Sequence, residues 1–173
     1  MKPDIYLITG VPGSGKSTVM ELLKQQLDSH YEVHDFDERG VPDNVVDSNW
    51  QEEETHYWIN KGLDNKKKGF GTIVCGFAIP PHVAGVYPAK LILLDLSKDS
   101  LKQRLSKRYQ SEANITELKR MTGKTPAESI EENIRSIEWL RNRCADYGAM
   151  IIDTSNITAS DVANQVKEFI NNN

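Results

Sequence analysis

The run Gly10-Val11-Pro12-Gly13-Ser14-Gly15-Lys16-Ser17-Thr18 limits what this chain can fold into more than any other part of it. Its glycines let the backbone wrap closely round an anion, so that main-chain N–H groups converge on it. An apolar run at 5–8 precedes the glycines, and Val19, Leu22, Leu23 and Leu27 follow at helical spacing. Strand, loop and helix in that order bring a helix N-terminus to the same anion. In this context Lys16 is expected to reach the β- and γ-phosphates of ATP and the Ser17 hydroxyl to ligate Mg²⁺, with Gly10, Gly13, Ser14, Gly15 and Thr18 completing the cradle. A glycine-rich turn with a coincidental lysine is the bland alternative; the flanking strand and helix argue against it.

With 173 residues, 38% of them hydrophobic, the chain can bury one α/β core but hardly two, so a single domain over 1–173 is expected. A formal net charge of -4 gives no bulk attraction to nucleic acid or to an anionic membrane. The expected partner is therefore a small molecule, with the protein itself a monomer or homodimer. Cys75 and Cys144 lack metal-ligand spacing, the start Met1-Lys2-Pro3-Asp4 is polar, and no apolar run could span a bilayer. A reduced, cytoplasmic setting is the expectation.

Strand and helix signals alternate, the pattern of a parallel sheet covered on both faces. Strands are predicted at 5–9, 31–37, 72–77, 91–96 and 150–152. Between the second and third lies a polar stretch with Trp50, Tyr57 and Trp58 at helical spacing, better read as packing than as a stacking surface, ending at Lys66-Lys67-Lys68. His56 reads as a surface residue. A helix from about Ser100 leads into 110–124, polar and mostly basic, which reads as a mobile lid. Thr125-Pro126-Ala127-Glu128 carries a helix N-cap, a first-turn proline and a capping box, and Ile130, Ile134, Ile137 and Cys144 form the stripe behind it. Val162, Val166, Phe169 and Ile170 mark the last helix.

Taken together the chain resembles the adenylate kinase-like group of P-loop kinases, which includes shikimate and gluconate kinases. Besides the loop, Asp35-Phe36-Asp37 is similar to the Asp-x-Asp with which such kinases hold magnesium and the acceptor hydroxyl. Arg104-Leu105-Ser106-Lys107-Arg108 matches their arginine spacing for adenine stacking and phosphate contact, and Ile152-Asp153-Thr154-Ser155-Asn156 their turn beside the adenine ring. The resemblance implies a three-layer α/β P-loop NTPase fold: a five-stranded parallel sheet with helices on both faces, an acceptor-binding insert at about 38–70 and a lid at about 109–125. It also implies an enzyme, an ATP-dependent small-molecule kinase using Mg²⁺. Lys16, Asp37, Arg104 and Arg108 would be catalytic; Arg104 and Asn156 would join the loop in holding ATP; Ser17 and Asp35 would hold the metal; Asp35, Asp37, Arg39 and Gly76 would meet the acceptor.

The chain departs from that group after the third strand, where adenylate kinases carry Asp-Gly-Phe-Pro and this sequence has Cys75-Gly76-Phe77-Ala78. The metal-shell acid must then come from Asp35 and Asp37, the favoured choice, or from Asp95 behind Leu91-Ile92-Leu93-Leu94. Between Asp28 and Glu54, Arg39 is the only cation beyond histidine, against Asp28, Glu32, Asp35, Asp37, Glu38, Asp43, Asp47, Glu52, Glu53 and Glu54. Such a surface repels a phosphate, whereas nucleoside monophosphate kinases need arginines there. The favoured acceptor is accordingly a hydroxyl on a nucleoside, sugar or polyol-type acid, with Arg39 available for one carboxylate. A nucleoside monophosphate kinase is one alternative. A nucleotide-dependent switch or NTP hydrolase is another, although no guanine-reading Asn-Lys-x-Asp is present.

Overall fold

The computed structural model describes residues 4–43, 45, 49–76 and 89–172. Five strands, β1 (Ile5–Thr9), β2 (Tyr31–Asp35), β3 (Gly71–Cys75), β4 (Lys90–Asp95) and β5 (Met150–Asp153), form one parallel sheet in the order β2-β3-β1-β4-β5. Every residue of β1 and β3 is buried, as strands covered on both faces require. Side chains alternate between two cores. Tyr6, Ile8, Ile73, Cys75, Ile92 and Leu94 pack with α1 (Lys16–Gln26) and, through Val162, Val166 and Ile170, with the last helix, Ala159–Asn171. Ile5, Leu7 and Val74 pack on the other face with Trp58 and Ile59 of α2 (Trp50–Lys67).

A third cluster joins Val11 of the glycine loop to Leu101 and Leu105 of α3 (Lys98–Arg108), and these to the long helix Pro126–Asp146 through Ile137. Burial of Val11, 6% exposed, thus ties the loop to the core. The elements between and after are α4 (Glu112–Thr122), α5 (Pro126–Asp146) and α6 (Ala159–Asn171).

The expected polar insert is largely α2. Trp58 is 1% exposed, its indole Nε1 donates to the Phe36 carbonyl at 3.1 Å, and Trp50 meets the Phe36 ring edge-on. These two aromatics are packing, as the spacing suggested. Lys66 and Lys67 close the last turn, where cations complement the helix dipole.

The 110–124 segment is not a featureless loop. It holds α4, which has no buried residue, and Arg120 donates from it to Val41 O at 3.3 Å and Asp43 Oδ1 at 2.5 Å, across to the chain after β2. The expected capping box at Thr125 and Glu128 is formed in full. Several strand ends shift: β4 lies one residue earlier than expected and β5 runs one residue further. β2 stops at Asp35 instead of 37 because the chain turns there, and β3 begins at Gly71, while Phe77, expected to end it, lies outside the described residues with Ala78 and Asp47.

Because all strands run parallel, Thr9, Asp35, Cys75, Asp95 and Asp153 share one edge of the sheet. From β1 the neighbouring strands lead away in opposite directions, β3 to one side and β4 to the other. Such a switch point leaves a crevice at the carboxyl ends of the strands, where ligands bind in open α/β sheets. Among the described residues no helix is long and apolar enough to cross a membrane.

Candidate active site

The glycine loop fills that crevice, and its shape depends on a missing side chain. At Gly10 the backbone φ is +154°, and a Cβ there would lie 2.5 Å from both the Leu94 carbonyl oxygen and Ser14 Oγ. The Ser14 N–H closes the turn onto Val11 O at 3.1 Å. Helix α1 then starts at Gly15 with no side-chain cap and no acid in its first turn. Its leading N–H groups are therefore left for an outside acceptor, and the helix dipole favours an anion.

Lys16 Nζ donates to Gly10 O at 2.7 Å and Val11 O at 3.0 Å, folded back on the loop it serves. Burial, followed by the Arg108 charge, pulls its pKa down to about 8 against the opposing pull of Asp37, Cys75 and Asp35. A polyphosphate would hold this ammonium in its charged form. Ser14 Oγ is buried with no hydrogen-bond partner, while Ser17 and Thr18 are exposed at the helix start. An orphaned hydroxyl, an uncapped helix and an open Ser17 fit nucleotide phosphates and a Mg²⁺ ion. Among the described residues no group of three or more His, Cys, Asp or Glu could hold a metal. Mg²⁺ needs only one or two protein ligands beside phosphate oxygens and water.

Across the cleft the end of β2 presents Asp35 and Asp37. The Asp37 N–H donates to Asp35 Oδ1 at 3.1 Å, and the Glu38 and Gly40 N–H groups donate to the Asp35 and Asp37 carbonyls at 3.2 and 2.9 Å. Glu38 turns back to donors on β2, meeting the Asp35 N–H at 3.3 Å and His34 Nδ1 at 2.9 Å. The Asp37 residue is open to solvent on its outer side, yet desolvation of its carboxyl, then the Asp35 charge, push its pKa up to about 6 against the pull of Lys16. Gly76, at φ +93°, borders this corner: a Cβ there would lie 3.5 Å from Asp35 Oδ1, in ordinary contact. The structure thus brings Lys16, Asp35, Asp37 and Gly76 together.

The two arginines separate. Arg104 is committed to the fold, donating from Nη1 to Gly13 O and Thr154 Oγ1, each at 3.2 Å, and from Nη2 to Thr154 O at 2.5 Å. It clamps the loop to the turn after β5, where Asn156 is exposed beside Ser155 and Asp153. Arg108, at the end of α3, is exposed, acts on the charge of Lys16, and its guanidinium makes no ion pair among the described residues. Asp95 faces Arg141, whose Nε donates to it at 2.5 Å, and its strand lies on the side of β1 away from β3, so it is already paired.

Arg39 does not stand free. Its guanidinium carbon lies 3.7 Å from the Tyr57 ring centroid, and Nη1 donates to Glu54 Oε2 at 3.2 Å. Glu54, in sequence one acid among many on this stretch, is 4% exposed. The signal for it was local: Glu54 and Tyr57, three residues apart on α2, share a helix face. Thr154 also escaped separate notice, since only the tertiary fold brings it to Ser14 O, at 3.3 Å.

Two solved structures share this architecture. A shikimate kinase from Bacteroides thetaiotaomicron aligns over 97% of this chain and 98% of its own, at 17% identity and a TM-score of 0.58. An unliganded sugar kinase from Janibacter sp. HTCC2649 aligns over 98% and 95%, at 17% identity and a TM-score of 0.62. At that identity the likeness shows the fold, the P-loop kinase sheet the sequence suggested. No curated protein matches the chain. The AAA_18 family, described as an AAA domain, matches over 7–135. That span opens inside β1 and runs through the loop, the acidic turn and α3 into α5, leaving out only the turn after β5 among the parts of the cleft, and the chain belongs to this family of P-loop domains.

Proposed function

We propose that the protein is an ATP-dependent small-molecule kinase, transferring the γ-phosphoryl group to a hydroxyl of a small metabolite. The observation that carries this reading is the pairing of an uncapped phosphate loop with two carboxylates, Asp35 and Asp37, close enough to act on the charge of Lys16. A hydrolase needs only water, whereas a pair of carboxylates beside the loop lysine suits the positioning of an acceptor hydroxyl.

Phosphoryl transfer asks little covalent work of a protein; positioning and positive charge do most of it. The loop N–H groups and the α1 N-terminus would hold the phosphates, and Lys16 would leave its carbonyl partners for the β- and γ-oxygens. Ser17 and Asp35 would hold Mg²⁺, which would neutralise phosphate charge when bound. Arg108 would close on the transferring group with its unpaired guanidinium, while Arg104 keeps the nucleotide side of the loop in shape and Asn156 borders the base. Asp37 accepts the acceptor's hydroxyl proton as its oxygen bonds to the γ-phosphorus and the bond to the β-phosphate oxygen breaks. A carboxyl held near 6 releases its proton again at neutral pH. Gly76 leaves room for the acceptor beside Asp35, and Arg39 stands on the acceptor wall.

Titrating Mg²⁺ against ADP release in three variants tests the assignment. Asp37→Asn keeps ATP binding and slows transfer about a hundredfold or more, the usual scale for a positioned base, and Asp35→Asn raises the Mg²⁺ requirement. If neither differs from the parent while Asp95→Asn does, the metal-shell acid lies on β4 and the assignment is wrong.

A further inference from the structure

Glu54 takes no part in the chemistry above, yet it is the most deeply buried carboxylate beside it, 4% exposed. Oε2 accepts from Arg39, whereas Oε1 is shut off from solvent with no hydrogen-bond partner among the described residues. Buried polar atoms in folded proteins are almost always paired, and one left over in an otherwise satisfied region calls for a donor that arrives from outside. Its surroundings say where. Glu54 holds Arg39, which lies two residues after Asp37 on the same turn, and it also acts on the charge of Asp37, so it borders the acceptor corner and not a remote part of the core.

The same contacts engage Arg39, the cation that follows the acidic turn. Arg39, about half exposed, is held between the Tyr57 ring at 3.7 Å and the Glu54 carboxylate at 3.2 Å, so its charge is balanced by Glu54. With Arg39 and Glu54 balanced, Asp35 and Asp37 against Lys16 leave the described part of this corner with an excess of negative charge. An acceptor presenting phosphate or carboxylate here would set like charges against each other, which selects against it.

We infer that Glu54 is a specificity-determining residue of the acceptor site: its free Oε1 accepts a hydrogen bond from a second donor, hydroxyl or amine, on a non-anionic polyhydroxyl acceptor, with Arg39 and Tyr57 holding the carboxylate in place. This rests on the kinase reading above and narrows it, from any small hydroxyl compound to neutral or amine-bearing polyols.

The test uses the full chain with ATP and Mg²⁺ and six probes: ribose, myo-inositol and adenosine as neutral acceptors, glucosamine as a cationic one, gluconate and ribose 5-phosphate as anionic ones. ADP release and the melting-temperature shift each probe causes are both read. At least one neutral or cationic probe is turned over with a kcat/KM at least tenfold above either anion. Glu54→Gln, which presents an amide in place of the free oxygen, raises the KM for that probe about tenfold or more, abolishes the melting shift it causes, and leaves the KM for ATP and the melting temperature of the free protein unharmed. Tyr57→Leu, a change at an exposed ring, loosens Arg39 and moves the acceptor KM the same way by a smaller factor, which keeps the idea testable if Glu54→Gln does not fold. An anion as the preferred acceptor, or an unchanged acceptor KM in both variants, overturns the inference and leaves the kinase reading standing. ADP release unaltered by every probe, with no melting shift from any, overturns both.

Discussion

Replacing Gly10 with alanine places a methyl group where two atoms already sit. The new Cβ would lie 2.5 Å from the Leu94 carbonyl oxygen and 2.5 Å from Ser14 Oγ. Ser14 can rotate away; Leu94 cannot, because it is fully buried in β4 and paired with Ile152 in the sheet. Overpacking of this kind costs about 1–3 kcal/mol, and holding a side chain at φ +154° adds about 1–3 kcal/mol. The sum, about 2–6 kcal/mol, lowers the melting temperature of a chain of this size by roughly 5–20 °C. Gly148 is the control: it has φ +65° just after α5 with nothing within 4 Å, so alanine there meets strain alone, about 1 kcal/mol. Thermal melts followed by circular dichroism at pH 7.5, without nucleotide, compare the two. Gly10→Ala melting within about 2 °C of Gly148→Ala would show that the loop is not held against β4 as described.

Two further outcomes follow from the charges. Asp37 is pushed up to about 6 from an ordinary 3.8, so the folded chain binds this proton more tightly than the unfolded one. That contribution is present below about pH 4 and is lost as pH rises through about 6; the melting temperature of Asp37→Asn relative to the parent therefore climbs between pH 4 and pH 8, and a difference that stays flat across this range contradicts it. Arg108→Ala slows transfer tenfold or more without lowering the melting temperature, whereas Arg104→Ala, which severs the ties to Gly13 and Thr154, lowers both thermal stability and ATP affinity. Calorimetric ATP titration alongside melts distinguishes them, and equal loss of stability in both variants refutes the division of roles.

What could be read from the sequence was what neighbours along the chain decide. β1, the loop and α1 announce themselves because glycine conformation, apolar run and helical period all fall within two dozen residues, and the capping box at Thr125 and Glu128 is contained in four. The strand ends at Asp35 were harder, since the turn there is set by the Asp35 carboxylate capturing the Asp37 N–H, a contact that strand periodicity ignores. Helix α4 hid behind its composition because nothing in it is buried. Least legible were the roles that depend on distant partners. Arg104 looks free in sequence and is bound to Thr154, 50 positions on; Arg39 looks available and is spent on Glu54 and Tyr57. Charge patterning identified the acidic wall but not which oxygen on it lacks a partner.

The central claim concerns where the γ-phosphoryl group goes, and following that group tests it most directly. With γ-labelled ATP, Mg²⁺ and a panel of hydroxyl acceptors, the label should move to an organic acceptor in step with ADP release, and Lys16→Ala should abolish the transfer while leaving the folded state intact. Label found wholly as inorganic phosphate, at a rate that no acceptor changes, would contradict the account and mark the cleft as that of a nucleotide hydrolase or switch.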